Sequence, residues 1–196
     1  MPIRGVGYTW GIDFAGPFPV TKRGNKYVLV MIEHFTKWVE LVALRDKTAA
    51  GTAWALVEYI LIRLGAPVEV VTDQGSEFRG DFQDVLTHIR IDYRLDSRKH
   101  LQADGLAERM VQTMKQGLRK TLLERAATDW DLVLPYVAMG YRMTQQKALG
   151  YSPYYILFGR HPISPSRIQE LEYAPLPSLD DPEAVRLFID ERSQVF

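Results

Sequence analysis

Tyr27-Val28-Leu29-Val30-Met31-Ile32 is a run of six apolar residues with no polar interruption. Such a run is typical of a central strand buried on both faces, since a half-exposed strand would alternate. A turn cluster precedes it, Thr21-Lys22-Arg23-Gly24-Asn25-Lys26. Further upstream, residues 7–14 alternate through Tyr8-Thr9-Trp10-Gly11-Ile12-Asp13-Phe14 and stop at the turn Ala15-Gly16-Pro17. Downstream, Lys37-Trp38-Val39-Glu40-Leu41-Val42-Ala43-Leu44 alternates again and reads as a third strand with one face less buried. Three strands with short connections predict an antiparallel meander.

Helical periodicity takes over after the meander. Ala50, Ala53, Trp54, Val57, Ile60 and Leu61 share one face of a helix over about 48–63, ended by Gly65 and Pro67. A strand over 68–72 leads to Asp73. Ser76 is then the expected N-cap of a helix with the apolar face Phe78, Phe82, Val85, Leu86 and Ile89. Ile91–Leu95 is a short last strand, followed by polar loop over 96–103 and a long helix over about 104–126. A further helix over about 129–144 carries Trp130, Val133, Leu134, Val137, Ala138 and Tyr141, and Pro135 enters its second turn or delays its start. Strands and helices in this order imply one mixed α/β sheet with helices packed on it. We expect residues 1–162 to form this domain, and 163–196 to be a Pro-rich, partly irregular extension with a short helix near 182–193.

The 196 residues suit one domain with a sizeable core. The absence of cysteine excludes disulfides and cysteine-based zinc sites, and suits an intracellular protein. No apolar run is long enough for a membrane span, and Met1-Pro2-Ile3-Arg4-Gly5 lacks the apolar core of a signal peptide. A formal net charge of zero argues against a generally adhesive nucleic-acid binder. It leaves room for a local basic surface, and cations outnumber acids between Arg98 and Arg125.

Three acids occupy different local contexts. Asp13 closes the first alternating run, Asp73 follows Val68-Glu69-Val70-Val71-Thr72, and Glu108 lies on the helix 104–126. Two carboxylates at strand ends and one on a helix can gather hard-oxygen ligands for Mg²⁺ or Mn²⁺. Each has an ordinary explanation as well. Aspartate is a common turn residue, which covers Asp13 and Asp73 taken singly. Glu108, Gln112, Lys115 and Arg119 recur on one helix face. That face is either a solvated surface with a Glu–Lys pair or a stripe able to follow a phosphate backbone.

The surrounding residues change the balance. Trp10-Gly11-Ile12-Asp13-Phe14, Thr72-Asp73-Gln74-Gly75-Ser76-Glu77-Phe78, His100-Leu101-Gln102-Ala103-Asp104-Gly105-Leu106-Ala107-Glu108-Arg109 and Gly150-Tyr151-Ser152-Pro153-Tyr154-Tyr155-Ile156-Leu157-Phe158-Gly159-Arg160-His161-Pro162 stand in order. Together they resemble the integrase catalytic core of gypsy-type long-terminal-repeat retrotransposons, within the retroviral integrase superfamily, over roughly residues 8–162. The resemblance implies an RNase H-like fold, a five-stranded mixed sheet flanked by helices. It implies that Asp13, Asp73 and Glu108 are catalytic ligands of two divalent ions, Mg²⁺ or Mn²⁺. Its chemistry would be 3′-end processing and strand transfer by in-line displacement. Lys99, His100, Gln112, Lys115 and Arg119 would contact DNA, the partners being element ends and target duplex. A homodimer, with Trp130 or the apolar helix 50–61 as contact candidates, and nuclear localisation follow from the same resemblance.

Arg98 and Leu101 stand where the family usually has proline, which should loosen the loop before Glu108. Neither an amino-terminal zinc-binding domain nor a complete carboxy-terminal DNA-binding module is evident, so a core fragment or a truncated reading frame is expected. Two other readings compete with the integrase. One is a catalytically silent relic that binds nucleic acid or dimerises, and the other is a nuclease of the RNase H type.

Overall fold

The computed structural model describes residues 5–95, 128–147 and 149–163, with 182, 183 and 186. The expected loop 96–103, the helix 104–126 and most of the carboxy-terminal extension lie outside the described residues. Two compact units divide at Arg142 and Met143.

In the first unit, β1 (Thr9–Ala15), β2 (Tyr27–Glu33) and β3 (Val39–Leu44) form the antiparallel meander. Strand β4 (Glu69–Thr72) adds parallel to β1, and β5 (Asp92–Leu95) adds parallel to β4. The order is β3-β2-β1-β4-β5, a five-stranded mixed sheet flanked by helices, as the RNase H-like fold requires. Strand β2 is buried on both faces, as its apolar run demands.

One face of the sheet carries a core of Ala15, Val28, Val30, Val39 and Leu41 against Trp130, Leu134 and Ala138. The last three belong to a 3₁₀ turn (Trp130–Leu132) and the helix that follows it, Leu134–Met143. Pro135 therefore stands in the first turn of that helix, where its missing N–H costs nothing. Leu29 and Met31, which alternate onto the other face of β2, are equally buried. Helix α1 (Ala49–Leu56) is capped by Thr48, whose hydroxyl accepts from Gly51 N–H at 3.1 Å. It continues through a π-helical segment (Val57–Leu61) into the short α2 (Ile62–Leu64). Helix α3 (Asp81–His88) contacts α1 and buries Phe82 and Leu86.

Four expectations need correction. Trp54 is 64% exposed and Ala50 is also exposed, while Thr52, Ala53, Ala55, Leu56 and Ile60 form the buried face. The π-helical segment breaks the regular helical phase on which the apolar stripe was drawn. Ser76 caps no α-helix. It opens a 3₁₀ turn (Ser76–Phe78), and the chain re-enters at Gly80, whose φ of 58° with ψ of −126° suits a residue without Cβ. Strand β3 has no wet face at Glu40, which is buried by Trp38 and Arg142. Trp38 Nε1 donates to Glu40 Oε1 at 2.9 Å, and Arg142 Nη2 lies 2.5 Å from Glu40 Oε2. Trp130 is only 2% exposed and its indole N–H donates to Pro19 O at 2.7 Å. It is a core residue and offers nothing to a second copy.

In the second unit, a short helix, Pro153–Phe158, begins where Ser152 Oγ accepts from Tyr155 N–H at 3.2 Å. Gly159 ends it in the left-handed region, at φ 65°. The motif Gly150–Pro162 thus supplies its own start and stop.

Candidate active site

Asp13 lies inside β1, opposite Val30 of β2, and not in the turn that follows. Its turn-former explanation therefore fails. Along β1 the burial pattern alternates, with Trp10, Ile12 and Phe14 buried and Asp13 on the other, half-buried face. On the β4 side, the last registered pair is Ile12 opposite Thr72. Asp13 and Asp73 are each the next residue, so two acids from distant parts of the chain meet at the C-terminal edge of a parallel strand pair. Ligands in sheets of this kind gather at that edge.

Local hydrogen bonds aim both carboxylates. Asp13 Oδ1 accepts from the Phe14 N–H at 2.7 Å. Asp73 Oδ1 accepts from Gly75 N–H at 3.0 Å, an Asx turn that ends β4. Here the turn explanation holds, and it positions the side chain without neutralising it. Behind Asp73, Thr72 Oγ1 donates to Asp73 O at 2.9 Å and lies 2.9 Å from the Tyr93 hydroxyl on β5. Beneath the pair runs a chain of rings, Phe14, Phe78, Phe82 and Tyr93, with successive centroids 5.8, 5.7 and 6.0 Å apart. These contacts tie β1, the 3₁₀ turn, α3 and β5 into one floor.

Two further charged residues enter the site. Lys47, just before α1, has its Nζ 3.4 Å from Glu77 Oε1 and 5.1 Å from the centre of the Phe14 ring. Glu77 belongs to the Asp73 motif, whereas no motif surrounds Lys47. A position within the motif was the available signal for Glu77. Nothing local signals Lys47, because its contacts come only from folding.

Asp13 and Asp73 supply anionic oxygen donors, which suit a hard divalent cation better than a soft one. Among the described residues, no three His, Asp or Glu side chains group closely enough to hold an ion. The described donors fit as two ligands of a set whose expected third member, Glu108, lies outside the described residues. Lys99, His100, Gln112, Lys115 and Arg119 lie outside them too.

A family model described as an integrase core domain matches residues 4–100. The chain is 35% identical over 157 residues, 80% of its length, to the Gag-Pol polyprotein of Gibbon ape leukemia virus. It is 28% identical over 172 residues, 87% of its length, to the retrovirus-related Pol polyprotein from transposon 412 of Drosophila melanogaster. It spans only 9% and 14% of those two polyproteins. The HTLV-2 integrase catalytic core domain, solved in complex with magnesium in a trimeric form, superposes with a TM-score of 0.62 at 21% identity. That match covers 77% of this chain and 96% of the other, and it shows a shared fold.

Proposed function

The chain belongs to the retroviral integrase superfamily, and from that premise we propose that it catalyses divalent-metal-dependent polynucleotidyl transfer on DNA. In this reading Asp13 and Asp73 hold the cation, and Glu108 completes the set. The observation that carries it is the placement of Asp13 within β1, one residue past the last β1–β4 pair and beside Asp73. Aspartate is depleted from strand interiors, where threonine or valine fits better, so a half-buried aspartate in β1 goes against strand propensity.

The bound ions would stabilise the attacking and leaving oxygens of an in-line displacement at phosphorus. The chain's own residues do the preparatory work. The Phe14 and Gly75 N–H groups fix the direction of the two carboxylates. The aromatic floor ties β1 to the 3₁₀ turn, α3 and β5 beneath them, so little reorganisation remains when the substrate arrives. No covalent protein–DNA intermediate is required, and the lack of cysteine removes nothing from the chemistry.

The substrates in this reading are the DNA ends of a long-terminal-repeat element and a target duplex, processed at the 3′ end and then joined. Lys99, His100, Gln112, Lys115 and Arg119 are the proposed DNA contacts, and the nucleus is the proposed place of action. A homodimer is proposed as the working state. The HTLV-2 core was also solved with magnesium in a dimeric form, with a TM-score of 0.61 to this chain.

The full chain, given Mn²⁺ and a branched DNA that mimics the joined product, should resolve it by the reverse of strand transfer. Asp73→Asn and Glu108→Gln should each abolish that reaction. Retention of activity in both variants would overturn the assignment. A parent chain that binds the DNA without any metal-dependent reaction would instead be a silent binding module.

A further inference from the structure

We propose that the Lys47–Glu77 ion pair is a positioning clasp for the two site carboxylates and sets how tightly they hold a divalent cation. The inference rests on the reading of Asp13 and Asp73 given above. Lys47 Nζ lies 3.4 Å from Glu77 Oε1, 5.1 Å from the centre of the Phe14 ring and 5.5 Å from that of Tyr27. Phe14 directly follows Asp13, and Glu77 is on the turn that Asp73 opens. One ammonium group therefore binds the strand bearing the first acid to the turn bearing the second. Its stem comes from the loop before α1, a third and independent anchor.

A second observation concerns Gly75. A Cβ placed there would stand 2.6 Å from Glu77 Oε2 and 3.0 Å from Asp73 Oδ1. The two carboxylates thus close on one point, over a residue that has no side chain to keep them apart. Like charges brought together repel, and the repulsion grows as water is excluded. Lys47 on the other Glu77 oxygen offsets it. The pair is partly shielded, with 35% of the Lys47 side chain and 13% of the Glu77 side chain exposed. The ring faces of Phe14 and Tyr27 favour the cation further. Without the clasp, Glu77 and Asp73 separate, and the turn carrying Asp73 drifts from β1.

The experiment is Mn²⁺ binding to the full chain by titration calorimetry, with thermal melting alongside to verify folding. Lys47→Met and Glu77→Gln should each weaken binding about tenfold, in the range typical of groups that support metal ligands. Lys47→Arg, which can keep both contacts, should restore most of the loss. The sign is the diagnostic. A simple through-space charge effect would make Lys47→Met bind Mn²⁺ more tightly and Glu77→Gln more weakly. Opposite signs, or unchanged binding in both folded variants, overturns the clasp while leaving the site reading intact. A parent that takes up no Mn²⁺, or an Asp73→Asn variant that takes it up equally well, overturns the site reading and the clasp with it.

Discussion

Strands β1 and β4 carry acids at both ends of their pairing, and the two ends treat them differently. At the N-terminal end, Thr9 is registered opposite Glu69. Glu69 is buried, its Oε2 accepts from the Thr9 hydroxyl at 3.0 Å, and its Oε1 lies 2.7 Å from Arg94 Nε. At the C-terminal end, Asp13 and Asp73 accept backbone N–H groups one and two residues further along the chain. The first arrangement spends the charge on the scaffold. The second fixes the direction of each carboxylate with its own neighbouring backbone. Both ends are acidic, so what separates them is the chemistry of the partners and not the residue type.

Neutralising an acid at the C-terminal end should give the largest effect. Asp73→Asn keeps the size of the side chain and an oxygen that can accept from Gly75. It removes the anionic donor. Several kcal/mol of transition-state stabilisation, about 4, corresponds to roughly a thousandfold loss of rate. A branched-DNA assay with Mn²⁺ reads that loss, while the melting temperature should stay near that of the parent. A collapse of stability with the activity would place Asp73 among the scaffold acids and erase the contrast.

Asp131 extends the comparison to the far side of the fold. Its Oδ2 accepts from Thr21 Oγ1 at 2.9 Å, Arg23 Nε at 2.8 Å and Asn25 Nδ2 at 2.8 Å, and Arg23 Nη2 reaches Oδ1. The clasp fastens the β1–β2 loop to the 3₁₀ turn before the final helix of the first unit. Asp131→Ala leaves the Thr21 and Asn25 groups without their acceptor, so a loss of about 2 kcal/mol in urea unfolding is expected. Activity per folded molecule should be unchanged.

The same aspartate gives a pH signature. The hydrogen bond from Arg23, reinforced by those from Asn25 and Thr21, holds the Asp131 carboxyl well below the usual carboxylate range. The unfolded chain therefore binds the proton more readily. The stabilisation is complete above the ordinary aspartate value of about 3.9 and is lost progressively as pH falls below it. Urea midpoints measured from pH 6 down to pH 3 should fall more steeply in the parent than in Asp131→Asn. Equal slopes would mean that the clasp does not discriminate between the protonation states.

How much of this could be read from the chain follows from the range of each cause. The apolar run at 27–32 and the alternation before it locate β1 and β2 because strand burial is written in neighbouring residues. The positions of Asp13 and Asp73 at the C-terminal ends of β1 and β4 are legible in the same way, from the strand patterns that precede them. Trp54 was misplaced because a π-helical segment, which no residue in 57–61 announces, breaks the phase of the apolar stripe. The break at Gly80 likewise depends on a backbone angle that only the folded turn imposes. Glu40 looked like the wet face of β3 until Arg142 arrived from the far end of the first unit to bury it. Lys47 joined the site for a similar reason, through contacts with Phe14, Tyr27 and Glu77 that are remote in sequence.

The smallest effect is expected at Glu69, and it is the sharpest control because Glu69 opens the four-residue strand that Asp73 directly follows. Glu69→Gln preserves shape and can still accept from Thr9, but the ion pair with Arg94 is lost. Arg94 also holds Asp92, with Nη2 2.9 Å from Oδ2, and its own side chain is 47% exposed. Water and Asp92 can take up much of what Glu69 gave, so the cost should be modest, about 1 kcal/mol in urea unfolding. Rate in the branched-DNA assay should match the parent once corrected for the folded fraction. A rate loss approaching that of Asp73→Asn would mean that the charge of the whole strand pair tunes the site. Equal rates would confine the reaction to the C-terminal edge, where backbone N–H groups aim the acids.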